Sequence, residues 1–74
     1  MASLRVNYRK HIATDPDVLA GKPVVKGTRI PVETVLARLA ENPEIDDLLT
    51  AFPRLTLDDI RACLDFAAEH IRMA

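Results

Sequence analysis

One cysteine, two glycines, three aromatic residues and no tryptophan occur in these 74 residues, and each scarcity removes a class of protein. A lone Cys63 forms no internal disulfide and supplies no thiolate zinc cluster by itself, so a reducing, cytoplasmic setting is expected. With only two glycines and a 49% hydrophobic fraction, neither low-complexity nor disordered character is expected. No apolar run approaches about 18 residues, and the N-terminal MASLRVNYRKH lacks the apolar centre of a signal peptide, so neither a membrane span nor export is expected. There is no HExxH, Walker A loop, GxGxxG or GxSxG, and His11 and His70 have no cysteine pair nearby. The enzyme classes built on those motifs therefore have no entry point, and no metal, cofactor or catalytic residue is expected.

What is present suits one small domain over residues 1–74. A chain of 8.2 kDa hides only about 62% of the surface that its unfolded form exposes, so its core gains from a partner surface. The net charge of -1 conceals a division: residues 1–30 carry six Lys or Arg against two acids, whereas residues 31–74 carry four against nine. Such an asymmetry is compatible with nucleic-acid contact, head-to-tail pairing or compensation within the chain.

Residues 4–30 read as short strands and turns. Leu4, Val6 and Tyr8 alternate with Arg5, Asn7 and Arg9, the period of a half-buried strand, and a weaker strand signal surrounds Ile12. TDPD and AGKP carry turn chemistry, and Val24-Val25 and Thr28-Arg29-Ile30 are two extended pieces around Gly27, a position that requires a backbone angle other residues resist. From Pro31 the period becomes helical, and residues 31–72 read as three helices. Val32, Val35, Leu36 and Leu39 stripe the first, which ends near Glu41. Asn42 is the expected N-cap and Pro43 the first residue of the second, whose apolar face is Ile45, Leu48, Leu49 and Phe52. Thr56 and Asp59 form a capping box for the third, with Leu57, Ile60, Leu64, Ala67 or Ala68, and Ile71 expected on its buried face. The fold class is mainly α: a tri-helical domain with a short N-terminal β layer.

The third helix runs against a duplex-reading role, because between Leu57 and Arg72 it carries two basic residues and four acids, and most nonspecific affinity for DNA comes from phosphate neutralisation. Weak duplex contact is assigned instead to Lys22, Lys26 and Arg29. Cys63 and Phe66 do not belong to the aliphatic stripe, so they are expected at an interface with a second copy of the chain. Arg5, Tyr8, Arg9 and Lys10 are a further candidate interface, a strand that either turns its basic side chains toward a protein partner or completes a dimer sheet. Cys63 is not expected to be a nucleophile, since apolar surroundings hold a thiol neutral. Arg29 is expected to act as a clamp on the signature loop, tying it to a helix-terminal carboxylate, with Glu33 and Asp59 as candidates, or to backbone carbonyls.

Two runs carry a family resemblance. Asp15-Pro16 followed by Gly21-Lys22-Pro23-Val24-Val25-Lys26-Gly27-Thr28-Arg29-Ile30-Pro31-Val32, and then Phe52-Pro53-Arg54-Leu55-Thr56-Leu57-Asp58-Asp59-Ile60 with Ala62, Ala67 and Ala68, resemble in order the signature of domain of unknown function 433, over about Ile12 to Glu69. The resemblance implies a homeodomain-like or winged helix-turn-helix fold and an antitoxin role: a binding module that dimerises, neutralises a nuclease toxin of PIN-like fold and contacts operator DNA. The alternative is a domain of helix-turn-helix ancestry that only oligomerises. Glu41-Asn42-Pro43 departs from the family's Gly followed by Ser or Thr between the first two helices, and Arg5 to Lys10 lie outside the match.

Overall fold

The computed structural model describes residues 8–73 of the chain. Tyr8–Lys10 is a single 3-10 turn, so the part of the expected N-terminal strand that falls here is helical; its remainder, Leu4 to Asn7, lies outside the described residues. The chain continues into β1 (Ile12–Ala13) and β2 (Val24–Val25), which pair antiparallel with Ile12 opposite Val25 and Ala13 opposite Val24. Leu19, Ala20 and Gly21 take φ of 51°, 55° and 82° in the connection. That left-handed path was not apparent from AGKP, since only one of its three members is glycine.

The segment after β2 folds back on itself. Gly27 has φ 81° at the third position of a turn closed by Thr28 N–H donating to the Val25 carbonyl at 3.0 Å, a position that favours glycine. Thr28 Oγ1 donates to the same carbonyl at 2.7 Å and accepts the Ile30 N–H at 3.0 Å. The Val25 N–H returns to the Ile30 carbonyl at 2.9 Å, and Val24 bridges Pro31. The expected pair of extended pieces around a glycine turn is thus realised.

Three helices follow: α1 (Val32–Glu41), α2 (Ile45–Ala51) and α3 (Leu57–Met73). Pro31 occupies the N-cap of α1, and its carbonyl takes the Thr34 and Val35 N–H groups. Glu44, and not Asn42, is the N-cap of α2. Asn42 serves two residues earlier, its Oδ1 accepting the Glu44 N–H at 3.1 Å and its Nδ2 donating to Asp47 at 2.9 Å, so the three residues 42–44 remain a linker. At α3 the expected capping box forms in both directions: Thr56 N–H to Asp59 Oδ2 at 3.0 Å and Asp59 N–H to Thr56 Oγ1 at 3.1 Å.

The core gathers Ile12 and Val25 from the sheet, Val32 and Val35 from α1, Leu48 from α2, Leu55 from the following turn, and Ile60, Ala62 and Cys63 from α3. The buried face of α3 is therefore rotated by roughly 100° from the aliphatic stripe, given about 100° per helical residue. Ile60 is inside, but Leu57, Leu64 and Ile71 are exposed. The physical cause is the N-terminal layer: α3 packs on the Tyr8–Lys10 turn and β1 as well as on α1, so its small-residue side is the one covered. Ala62 and Cys63 let the neighbouring backbones approach, whereas the three large aliphatics would hold them apart.

Candidate functional site

Two surfaces and one internal node hold the chain's charged and reactive groups. The first surface is an open concavity of about 600 Å³ lined by Ala13, Asp15, Val18, Val24 and the turn Lys26–Arg29, with Arg54 entering from the α2–α3 connection. β1, β2 and the Gly27 turn form its floor, and Lys26, Arg29 and Arg54 are all exposed at its rim. Asp15 is the acid beside them, and its Oδ1 already accepts the Asp17 N–H at 2.9 Å. Three cations converge from segments 25 residues apart, a spacing that supports neutralisation of phosphate or carboxylate groups. Of the proposed nucleic-acid residues, Lys26 and Arg29 are brought together here. Lys22 stands apart, where its Nζ meets Glu33 Oε1 at 2.7 Å on the surface. Arg54 was missed because it lies in the acidic part of the sequence, and only the fold carries it to the basic turn.

The expected Arg29 clamp is corrected by the same contacts. Glu33 is engaged by Lys22, and Asp59 Oδ1 is engaged by His11 Nδ1 at 2.9 Å, so neither carboxylate is held by Arg29, whose side chain stays at the rim of the concavity. His11 is thus the tie between the N-terminal layer and the start of α3. Asp59 joins it to the capping box through its second oxygen. The partner of His11 lies 48 residues away in sequence, and no local pattern announces such a pair.

Cys63 is fully buried, as are Ala62 and Ile60 beside it. It therefore belongs to the core and presents nothing to a partner. Burial pushes its thiol up from 9.0 to about 11, with the Asp59 carboxylate adding to the shift, so the group stays protonated and weakly nucleophilic at neutral pH. Phe66 is half-buried and also points inward: its ring meets Tyr8 edge-on at 5.5 Å and lies 4.0 Å from the His70 imidazole. Tyr8 in turn lies under the Arg9 guanidinium at 5.3 Å. The Tyr8–Phe66 contact gives Phe66 a place inside the chain although it lies off the aliphatic stripe of α3, since the two rings close the N-terminal turn against that helix. Arg9 and Lys10 are exposed, and Arg5 lies outside the described residues.

The second surface is the outer face of α3. Among the described residues, the large apolar side chains left exposed are Leu19, Leu57, Leu64 and Ile71. Three of these four belong to one helix at intervals of seven residues. Among the described residues no grouping of His, Cys, Asp and Glu could hold a metal ion, and no helix is long and apolar enough to cross a membrane.

A compact, mainly helical domain with three helices and a short two-stranded N-terminal element is the architecture these contacts define. The chain belongs to the family described as Protein of unknown function (DUF433), which it matches over residues 12–67. It is similar to an uncharacterised protein of Sinorhizobium fredii, y4eO, with 39% identity over 59 residues, which is 80% of this chain and 27% of that protein. The chain thus spans about a quarter of that relative's length. Its fold is similar to the crystal structure of a DUF433 member protein from Anabaena variabilis, with a TM-score of 0.77, 28% identity, and coverage of 90% of this chain and 70% of that one.

Proposed function

We propose that the chain is an antitoxin-like, non-enzymatic binding module that self-associates, neutralises a nuclease toxin of PIN-like fold and contacts operator DNA through its phosphates. The observation that carries the DNA part is the convergence of Lys26, Arg29 and Arg54 on one open concavity. A carboxylate-lined nuclease centre would present the same complementary charge, which supports use of exposed cations in toxin contact as well. The antitoxin role itself comes from the family resemblance. The homeodomain-like or winged helix-turn-helix reading belongs to the same proposal, with α2 and α3 as the helix pair and the acidic start of α3 kept away from the duplex.

The test has two arms. Purification from the native host should bring down a PIN-like nuclease whose RNA cleavage is suppressed by stoichiometric added protein; a nuclease unaffected by excess protein would remove the antitoxin role. In the second arm, duplex affinity is followed against salt for the parent chain, for Arg61→Gln, and for Lys26→Gln/Arg29→Gln/Arg54→Gln. Loss of three phosphate contacts should flatten the slope of log K against log salt by about 2.7, with little change in Arg61→Gln. A dominant effect of Arg61 would move DNA contact to α3.

A second reading, a domain that only oligomerises, is favoured by the exposed apolar residues of α3. It predicts self-association with neither nuclease suppression nor a salt-dependent duplex affinity.

A further inference from the structure

We infer that the outer face of α3 pairs antiparallel with the same face of a second copy of this chain. The inference rests on the self-association in the proposed function and assigns it a surface, an orientation and a charge pairing. Leu57, Leu64 and Ile71 are 47%, 48% and 76% exposed. Their interval of seven residues drifts by only about 20° per step around a straight helix, so the three form one seam about 21 Å long. Arg61 and the exposed Ala68 lie four residues beyond Leu57 and Leu64, on the adjoining edge of that seam. Ala68 leaves room for a larger side chain from across an interface.

Charge selects the occupant and its direction. The first turn of α3 holds Asp58 and Asp59, and its last turn holds His70 and Arg72. Asp59 is occupied by His11 and the capping box, which leaves Asp58 at one end of the seam and Arg72 at the other. Each follows a seam residue by one position, so both lie on the same flank. Parallel copies would align the helix dipoles and carry this flank of the two helices to opposite sides of the seam, leaving Asp58 and Arg72 without each other as partners. An antiparallel pair centred near Leu64 sets Leu57 against Ile71 of the partner subunit, Asp58 against Arg72 of the partner subunit, and each acidic helix start beside a basic helix end. Among the described residues these charges meet neighbours on their own helix, Arg61 to Asp58 at 3.9 Å and Arg72 to Glu69 at 3.1 Å. Asp65, midway along the same flank, is already partnered.

Sedimentation equilibrium over a dilution series tests the pairing. Leu64→Glu, at an exposed position, should leave the circular dichroism and melting of the monomer unchanged while weakening dimerisation by about tenfold to a hundredfold, as expected when two half-exposed leucines lose their burial. Asp58→Arg and Arg72→Asp should each weaken it by about threefold to thirtyfold, since each breaks two symmetry-related pairs. The double variant Asp58→Arg/Arg72→Asp should return to within about threefold of the parent chain. Residues 58 and 72 of one chain are about 21 Å apart along the helix, so that rescue reports contact between copies. A dimer unaffected by Leu64→Glu overturns the α3 surface while leaving self-association in place. A parent chain that stays monomeric overturns both. Loss without rescue in the double variant overturns the antiparallel direction.

Discussion

From Val32 to the end of α3 the chain is held by regularly spaced apolar side chains, whereas between His11 and Pro31 it is held by individual polar contacts and backbone angles. Val32, Val35, Leu48, Ile60, Ala62 and Cys63 are buried at helical intervals, and their helices satisfy their own backbone. The N-terminal layer has two strands of two residues each. It adds Ile12, Val24 and Val25 to the core, but its path depends on Gly27, on the Thr28 hydroxyl and on the His11–Asp59 tie. A helix keeps its backbone path when one side chain is changed, because its hydrogen bonds repeat along it. The layer has no such redundancy, and the same segment carries two of the three cations of the concavity.

The comparison breaks most readily in the helical part. Ile60 is 1% exposed at the junction of α3 with the rest of the core. Ile60→Ala should cost about 2–5 kcal/mol, the range for deleting a buried aliphatic side chain. In a domain this small that is a large share of the total stability. Urea denaturation followed by helical circular dichroism should show a midpoint far below that of the parent chain, and a shift under 1 kcal/mol would mean that Ile60 is not a keystone of the core.

How much of this was legible beforehand follows the same divide. The end of α1 at Glu41 and the capping box of α3 could be read directly, because periodicity and cap chemistry are local, whereas Pro31 proves to be the N-cap of α1 and not its first residue. The second helix begins two residues later than expected from Pro43, since Asn42 caps the linker and Glu44 takes the N-cap position. The buried side of α3 was misjudged because its band of apolar residues is wide enough for two faces, and which one is covered depends on Tyr8 and His11 from the other end of the chain. Arg54 joined the concavity, and Arg29 lost both expected partners, for the same reason. A local pattern names the residues able to make a contact, but the choice among them is tertiary.

A smaller effect sharpens the contrast at Gly27. Its φ is 81°, and a Cβ there would meet nothing within 4 Å. Gly27→Ala therefore introduces no clash, and its cost is that of holding an L-residue in the left-handed region, about 1–2 kcal/mol. The expected signature is a destabilised chain whose helical circular dichroism is unchanged below the transition. Because Lys26 and Arg29 flank this turn, duplex affinity should fall in the same variant if the turn relaxes. An unchanged melting curve would show that the layer accepts another backbone path.

The smallest effect is expected at Lys22. Its Nζ lies 2.7 Å from Glu33 Oε1, a short contact that ties the left-handed turn to the first turn of α1, yet the two side chains are 58% and 64% exposed. Water screens both partners, and each gives up side-chain freedom to hold the geometry, so exposed pairs contribute about 0–1 kcal/mol. Glu33 also has a favourable place at the start of α1 without any lysine. Lys22→Gln should therefore lower the unfolding free energy measured by urea denaturation by less than about 1 kcal/mol, and the difference should shrink further in high salt. Duplex affinity should stay close to that of the parent chain, because Lys22 stands outside the cationic concavity while Lys26, Arg29 and Arg54 remain in place. A loss of affinity as large as that of the triple variant would extend the binding surface to the α1 side of the layer. A stability loss above 2 kcal/mol would instead make Lys22–Glu33 a structural tie equal to His11–Asp59.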